Sequence, residues 1–294
     1  MRSGRELLSK ATLEKVAPFR FDRLGERYLI TNDVGEYALL SADEFSQLVS
    51  GTLPDGTEKH GELKKKHFLH SDEDETALAR AYARKNAFLF NGPWLHIIIV
   101  TLRCNEVCVY CHASRRGMEE RSADMSIDLA RTVVDTIFQS PSETLNIEFQ
   151  GGEPLANWEV VKFILDYAVE KNRTAGKRVE FSLVTNLSLM DEEKLAVLMQ
   201  HNVQICTSVD GPKPVHEANR HLLGGSSYEA AVTWMRRADH AYKEKGLDPD
   251  LYHVEALLTV TRDTLTHPKE VVDEYVRLGR KAVFLRPQIG RAHV

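Results

Sequence analysis

Short apolar runs alternate with longer amphipathic segments over the last two thirds of the chain. Six runs have the length of β-strands: Leu95–Leu102, Leu145–Gln150, Val179–Thr185, Val203–Val209, His253–Val260 and Ala282–Arg286. Helical spacing of apolar residues recurs between them, at about Ser126–Ser140, Trp158–Lys171, Asp191–His201, Tyr228–Lys245 and Pro268–Leu278. The alternation predicts repeated βα units, a parallel sheet covered on both faces and a barrel, with chemistry at the carboxyl ends of the strands.

The first 90 residues have another pattern, which predicts a small α+β module. Arg27–Asn32 and Glu36–Leu40 flank Asp33-Val34-Gly35, where glycine accepts a left-handed backbone, so this stretch predicts a hairpin. A capping box formed by Ser41 with the glutamate three residues later predicts the start of a helix, and a second helix is expected to begin near Ser71. We therefore expect a module over 1–90, a core over 91–288 and a tail over 289–294 that is not native sequence.

Composition and charge narrow the class of protein. The 294 residues are 43% hydrophobic, which is enough for a substantial core, and the net charge of −5 comes with interspersed bases and acids. A nucleic-acid partner is not expected, because the chain has no broad basic stripe. Neither an apolar signal-like start nor a run of eighteen apolar residues is present, so we expect no membrane association and a soluble, cytoplasmic protein.

Three of the four cysteines, Cys104, Cys108 and Cys111, fall within eight residues directly after the first predicted strand. Thiolates this closely spaced can hold three irons of a [4Fe-4S] cluster and leave the fourth iron open for another ligand. A structural zinc site would need a fourth ligand, and His112 is poorly placed for that role. We expect Cys206, which is far away on an apolar stretch, to be a buried core residue, and a disulfide framework does not suit this cysteine usage.

A second motif, Gly151-Gly152-Glu153-Pro154, follows the second predicted strand. The absence of side chains at the two glycines would let a ligand approach the backbone closely, although such a turn can also be no more than a tight connection. The cysteine loop and this turn come after neighbouring strands, so both are expected at the same rim of the barrel.

The Cys-x-x-x-Cys-x-x-Cys loop and Gly-Gly-Glu-Pro, each after its strand, together resemble the radical S-adenosylmethionine (SAM) enzymes over residues 94–288. The resemblance implies an α/β fold with a partial (β/α)6 TIM-like barrel behind the N-terminal module. It also implies that Cys104, Cys108 and Cys111 bind a [4Fe-4S] cluster whose open iron takes the amino and carboxylate groups of SAM.

Further site residues come from the same resemblance. Tyr110 would pack near the adenine, and the backbone of Gly151, Gly152 and Glu153 would meet the methionine amino group. Later strand ends would carry the residues near the ribose and carboxylate: Ser182, Asn186, Ser208, Asp210 and Arg220. The Arg220 guanidinium could bind a carboxylate through two parallel hydrogen bonds, or Arg220 could be a surface ion-pair residue. The two serines could instead face the core.

Several segments narrow the resemblance to peptide-modifying maturases, with the maturase of the His-Xaa-Ser system the most similar: Gly92-Pro93-Trp94-Leu95-His96, Thr185-Asn186-Leu187, Ser208-Val209-Asp210-Gly211-Pro212 and His216-Glu217-Ala218-Asn219-Arg220. This implies a ribosomally made precursor peptide as substrate, an electron donor such as flavodoxin or ferredoxin, and a leader held by residues 1–90 through strand addition. Such maturases continue into a cysteine-rich domain, so we expect this chain to be truncated. Two alternatives stay open, a sulfatase-maturing enzyme that forms formylglycine and a non-catalytic metal-cluster or peptide-binding module.

Overall fold

A computed structural model describes residues 1–70 and 74–287. The chain forms two compact units, Met1–Gly92 and a second that begins at Pro93. The predicted helix start at Ser71 and the predicted tail 289–294 lie outside the described residues. None of the described helices combines the length and apolar character that crossing a bilayer requires.

The first unit is a four-stranded antiparallel sheet with helices. Its strands, in the order β1-β2-β3-β4, are β1 (Arg2–Ser3), β2 (Arg20–Leu24), β3 (Arg27–Thr31) and β4 (Tyr37–Leu40). Its helices are α1 (Lys10–Leu13), α2 (Ala42–Ser50), α3 (Glu58–Lys65) and α4 (Asp74–Lys85). The predicted hairpin is confirmed as β3 and β4, and Gly35 has the left-handed backbone expected of it, with φ of 91°.

The capping box at the start of α2 is also confirmed. The Ser41 hydroxyl accepts the backbone N–H of Glu44 at 3.2 Å, and the Glu44 carboxylate accepts the N–H of Ser41 at 2.7 Å. Two donors that a helix start leaves unpaired are thereby satisfied, so the sequence fixes this helix start locally.

The second unit is built on a six-stranded parallel sheet, in the order β5-β7-β8-β9-β11-β12. These strands are β5 (Leu95–Thr101), β7 (Thr144–Gly151), β8 (Arg178–Val184), β9 (Gln204–Ser208), β11 (Glu255–Val260) and β12 (Phe284–Pro287). A separate antiparallel ribbon pairs β6 (Glu106–Cys108) with β10 (Arg220–Leu222). The helices are α5 (Ile127–Ile137), α6 (Trp158–Ala175), α7 (Glu192–Gln200), α8 (Lys213–Asn219), α9 (Ser227–Glu244) and α10 (Pro268–Arg277).

Only one face of this sheet is covered, so the expectation of strands buried on both faces is wrong. In β7 the side chains of Leu145, Ile147 and Phe149 are buried in the core with the helices, whereas the intervening residues are half-buried. Alternation of this kind means that the second face of the sheet is partly accessible: it is polar on β7 and apolar on β5, where Ile97 and Ile99 are exposed. The unit is therefore an open partial barrel of α/β type, and the loops that follow its strands lie at one rim.

Cys206 corrects a second expectation. It lies on β9 beside Ile205, which is buried in the core, so its thiol points to the opposite, half-exposed face of the sheet. A cysteine on an apolar run was predicted to be core, but the strand period of two places this one on the accessible face.

Candidate active site

The cysteine loop leaves β5 and turns back on itself at the rim. The thiols of Cys104, Cys108 and Cys111 are all half-buried, and the backbone N–H of Cys111 donates to the carbonyl of Cys108 at 3.1 Å. The Cys104 sulfur accepts the N–H of Glu106 at 3.4 Å, and the Cys108 thiol donates to the Glu106 carboxylate at 3.7 Å. Glu106 therefore binds two of the three cysteines within the loop itself.

Arg103, directly before Cys104, anchors the start of the loop. Its guanidinium is buried and forms a bidentate pair with Asp124, with N–O distances of 2.7 and 2.8 Å. Burial would raise the pKa of Asp124, but the donors on Arg103 and Thr101 hold it below its usual value. A third nitrogen of Arg103 donates to the carbonyl of Met118 at 3.1 Å, so this side chain joins the two ends of the loop.

The glycine turn after β7 packs against the end of β5. A Cβ on Gly151 would lie 2.1 Å from the carbonyl oxygen of Thr101, and one on Gly152 would lie 2.3 Å from that of Arg103. The glycines are therefore required by the protein's own backbone, whereas the sequence had been interpreted as leaving room for a ligand. The N–H groups of Gly152 and Glu153 donate to the carbonyls of Thr101 and Arg103 at 2.9 and 2.7 Å, so they are already engaged.

The Glu153 side chain organises the turn that follows β8. Its carboxylate, 1% exposed, accepts the Thr185 hydroxyl at 2.7 Å and the Asn186 N–H at 2.8 Å. Burial raises the pKa of Glu153 to about 7, although its hydrogen-bond donors favour the charged form. The Asn186 amide in turn donates to the side chain of Asn105 at 3.1 Å, which connects this turn to the cysteine loop.

A second assembly forms around Asp210, after β9. Its fully buried carboxylate accepts the Tyr110 hydroxyl at 2.6 Å and the Arg220 Nε at 3.1 Å. The Arg220 guanidinium also lies 5.3 Å from the centre of the Tyr110 ring and 3.4 Å from the Glu106 carboxylate. The interpretation of Arg220 as a surface ion-pair residue is wrong, because its side chain is only 11% exposed and is paired inside the site.

Two predicted residues stand apart from these assemblies. Ser182 lies two residues before the end of β8, where its hydroxyl donates to Asn146 at 3.0 Å and Glu148 at 3.3 Å. Ser208 ends β9 and is half-buried. Neither faces the core. Ser182 is bonded within the sheet, while Ser208 lies at the rim, one residue before Val209 and two before Asp210.

The family model for the radical SAM superfamily matches residues 98–260, which is more than half of the chain. The chain belongs to the radical SAM superfamily. Over 204 residues it is 25% identical to the radical SAM cyclopropyl synthase TigE of Paramaledivibacter caminithermalis, covering 64% of this chain and 40% of TigE. Over 174 residues it is 28% identical to a cysteine-type anaerobic sulfatase-maturating enzyme of Clostridium perfringens, covering 57% of this chain and 44% of that enzyme.

The fold is shared with a solved structure of native anSMEcpe with bound AdoMet and Cp18Cys peptide. The TM-score is 0.53 at 25% identity, and the match covers 66% of this chain and 50% of that one. The curated relatives are longer, since the matched stretches make up about two fifths of their length. This radical SAM protein is thus similar, over part of their length, to a cyclopropyl synthase and to a sulfatase-maturating enzyme.

The cofactors of the radical SAM superfamily are a [4Fe-4S] cluster and SAM, and the cysteine loop fits the cluster. Burial raises the pKa of the Cys104 and Cys108 thiols to about 12, so these thiols need a nearby cation to ionise, and coordinated iron supplies that charge. Among residues 1–70 and 74–287, no three His, Cys, Asp or Glu side chains converge to hold a single metal ion. A cubane does not require such convergence, because each thiolate binds its own iron.

Sequence reasoning missed three residues of the radical SAM site: Arg103, Asn105 and Glu106. All three lie inside or next to the cysteine loop. They are polar or charged, and they closely follow an apolar strand. For Glu106 the sequence offers one signal, a charged residue between two cysteines that are expected to bind the cluster. Its partners, Arg220 and Ser227, are more than 110 residues away, so only the tertiary fold could identify them.

Proposed function

We propose that this radical SAM enzyme reductively cleaves SAM and abstracts a hydrogen atom from a ribosomally made peptide, in maturation of the His-Xaa-Ser type. The observation that carries the proposal is the joining of the cysteine loop to two strand-end assemblies at one rim, through Asn105 on one side and Glu106 on the other. When bound, the cluster and SAM supply the one-electron chemistry that yields a hydrogen-abstracting radical.

The protein's own residues would bind and orient these groups. The three cysteine thiolates would hold the cluster, and Arg103 and the Glu106 N–H, which donates to the Cys104 sulfur, would fix the loop that carries them. Because the N–H groups of Gly152 and Glu153 are engaged, the turn can offer carbonyl oxygens, which are the acceptors that an amino group needs. Tyr110 and Arg220 would form one wall of the adenosyl site, and Asp210 holds both in place.

A peptide substrate is supported by the similarity to the sulfatase-maturating enzyme and by the fold shared with anSMEcpe bound to the Cp18Cys peptide. On β7 the half-exposed face of the sheet carries polar side chains such as Glu148, whose carboxylate can accept further hydrogen bonds from a peptide. A flavodoxin or ferredoxin would donate the electron, and a cytoplasmic location would suit both that donor and the free thiols.

The N-terminal unit would hold the leader of the precursor at β4. This strand is an edge of its sheet, and the backbone groups of Tyr37 and Leu39 face away from β3 because the hydrogen-bonded pairs alternate from Asn32 and Glu36. Two lysines from the α3 region cover the outward carbonyls, Lys66 at 3.0 Å from that of Tyr37 and Lys59 at 3.4 Å from that of Leu39. Such exposed contacts are weak, so an added strand could displace them.

The proposal is tested by anaerobic reconstitution with iron and sulfide. We expect about four irons per chain and release of 5′-deoxyadenosine from SAM under reductant. Replacing Cys104, Cys108 and Cys111 together by alanine should abolish both, whereas the matched control Cys206→Ala should change neither, since that thiol lies on β9. One equivalent of zinc and no response to SAM would instead support the non-catalytic binding module.

A second candidate is sulfatase maturation, which the 28% identity to the Clostridium perfringens enzyme favours. The two reactions are separated by substrate. A His-Xaa-Ser-rich precursor and a sulfatase peptide with its target cysteine would each be incubated with reconstituted enzyme and SAM, and mass spectrometry would identify which one is modified. Modification of the sulfatase peptide alone would replace the first proposal by the second.

A further inference from the structure

Asn219, the last residue of α8, carries a buried amide that is only partly satisfied. Its backbone carbonyl accepts the N–H of Val109 in the cysteine loop at 2.9 Å, and its Oδ1 accepts the Thr261 hydroxyl at 3.2 Å. The side chain is 2% exposed, yet its Nδ2 has no partner among the described residues. A buried donor without a partner is rare in folded proteins, so we expect this N–H group to donate to an acceptor.

The hydrogen bonds of Thr261 fix which end of the amide is unpaired. The Thr261 hydroxyl accepts the N–H of Thr264 at 3.2 Å, so its own hydrogen must find an acceptor, and Asn219 Oδ1 is the nearer one. The alternative acceptor, the Thr264 hydroxyl, lies 3.5 Å away. Rotating the amide by half a turn would force that hydrogen onto the more distant Thr264 hydroxyl, so the orientation with the shorter hydrogen bond leaves an N–H donor unpaired.

The position of this donor relates it to the cofactor site. Two other buried side-chain atoms without partners in the described chain, His96 Nε2 and Thr207 Oγ1, belong to strand residues. Asn219 instead contacts Val109, which precedes Tyr110, and is followed by Arg220, whose guanidinium lies over the Tyr110 ring. Asn219 is therefore joined, through its backbone, to the residues that would wall the adenosyl site.

The charges nearby select the kind of acceptor. Asp210 and Glu106 share the single guanidinium of Arg220, so this cluster carries a formal excess of negative charge. A carboxylate acceptor would be repelled there, whereas an uncharged oxygen or nitrogen would not. SAM has both kinds, and only its adenosyl group is rich in uncharged acceptors.

We propose that Asn219 Nδ2 donates a hydrogen bond to an uncharged acceptor on the adenosyl group of SAM, either a ring nitrogen or a ribose hydroxyl. The inference rests on the cofactor assigned to this radical SAM enzyme and adds one residue to its binding site. Asn219 thereby becomes a specificity residue for the adenosyl group.

The test measures the dissociation constant of SAM for anaerobically reconstituted protein by equilibrium dialysis. We expect Asn219→Ala and Asn219→Asp each to weaken binding about tenfold, the loss that corresponds to one hydrogen bond. Asn219→Asp keeps the shape and the acceptor for Thr261, but it replaces the donor by a carboxylate oxygen near Asp210 and Glu106, so its loss should be at least that of Asn219→Ala. The control Asn157→Ala removes a half-buried amide whose Nδ2 already donates to Val100 and Met125. It should leave SAM affinity within about twofold once folding is verified by circular dichroism.

A set of SAM analogues identifies the acceptor: 1-deaza, 3-deaza and 7-deaza adenine and the 2′-deoxy and 3′-deoxy ribose forms. One of them should bind the wild type about tenfold more weakly and bind Asn219→Ala with no further loss, because donor and acceptor are then both absent. The inference is overturned if Asn219→Ala binds SAM as the wild type does, or if every analogue loses the same factor in both proteins. Absence of SAM binding by the wild type would instead refute the proposed function.

Discussion

Buried charges in this site are satisfied by donors that come from distant parts of the chain. Asp210 receives Tyr110 from the cysteine loop, Arg220 from β10 and the backbone N–H of Thr259 from β11. Removing one of these donors leaves a buried carboxylate that is desolvated and incompletely paired. The resulting loss of folding stability is larger than the free energy of the lost contact itself. The same residues that bind a cofactor therefore also hold the rim together, and binding and stability cannot be separated by deleting Asp210.

His216 extends this network and gives it a pH dependence. Burial, and to a lesser degree Arg220, lower the pKa of His216 to about 3. Its Nδ1 accepts the N–H of Asp210 at 3.2 Å, so the ring hydrogen is on Nε2, 3.0 Å from the Ser227 hydroxyl. The imidazole is thus held neutral, as its two hydrogen bonds require.

We predict that this histidine makes the second unit less stable in mild acid. The His216 ring binds a proton near pH 6.5 in the unfolded chain and only near pH 3 in the folded one, so its contribution to stability is constant above pH 6.5 and falls as the pH drops towards 3. At pH 5.5 this His216 contribution is about 1.4 kcal/mol smaller than at pH 7.5, whereas Glu153, whose pKa is raised to about 7, stabilises the fold over the same range, so the His216 effect is measured as the difference between wild type and His216→Gln. All three tryptophans lie beyond residue 92, so urea unfolding followed by tryptophan fluorescence reports this unit.

In that experiment His216→Gln should lack the His216 contribution, so between pH 7.5 and pH 5.5 its stability should change more favourably than that of the wild type by about 1.4 kcal/mol, even if it lowers stability at both pH values. His240→Gln, which removes an imidazole that is 69% exposed, is the matched control and should retain the His216 contribution. Equal pH dependence in the wild type and His216→Gln would contradict the prediction.

The elements that sequence could predict are those with a strong period. The six sheet strands and the five helices between them were confirmed within a few residues, since buried apolar runs of this length leave few alternatives. The ribbon of β6 and β10 and the helix α8 were not predicted, because each is three to seven residues long and depends on tertiary contacts. That ribbon pairs Arg220 with Cys108, so the missed elements are the ones that assemble the site.

The glycine turn was predicted for its position but not for its physical reason. A pair of glycines after a strand indicates that something approaches the backbone closely, and sequence alone could not tell a ligand from another strand. In the fold the approaching group is the end of β5, which carries Arg103 and the cysteine loop. Gly151, with φ of 150°, also has a backbone conformation that other residues rarely adopt.

We predict that Gly152→Ala destabilises the second unit by about 2–3 kcal/mol, because the added methyl would lie 2.3 Å from a backbone carbonyl that cannot move without the cysteine loop. Iron content after reconstitution should fall with it. Gly61→Ala is the matched control, since Gly61 lies within α3 with open space around it, and the exchange should raise stability by about 0.5–1 kcal/mol. Urea unfolding followed by circular dichroism measures both, and an equally tolerated Gly152→Ala would argue that the turn is loosely packed.

At the scale of the whole molecule, the two units are suited to different tasks. The second holds every residue assigned to the cluster and SAM, whereas the first offers a sheet edge and no part of that chemistry in its described residues. Sequence motifs predicted the chemistry that this chain shares with the radical SAM superfamily, because a cluster needs fixed cysteine spacing. They could not predict the substrate, which is recognised by surfaces without fixed spacing.

This division of tasks predicts that leader binding can be removed without affecting SAM cleavage. Proline at position 39 deletes only the outward N–H of β4, since Leu39 does not donate to β3, so the sheet should survive Leu39→Pro. The affinity for a fluorescently labelled His-Xaa-Ser precursor, measured by anisotropy, should fall about tenfold or more, while iron content and peptide-free release of 5′-deoxyadenosine stay unchanged. Lys59→Ala, which uncovers the Leu39 carbonyl, should bind the precursor at least as well as the wild type. If Leu39→Pro is folded and binds the precursor normally, the leader does not dock at β4 by strand addition, because an added strand would lose one of the two outward N–H donors, those of Tyr37 and Leu39.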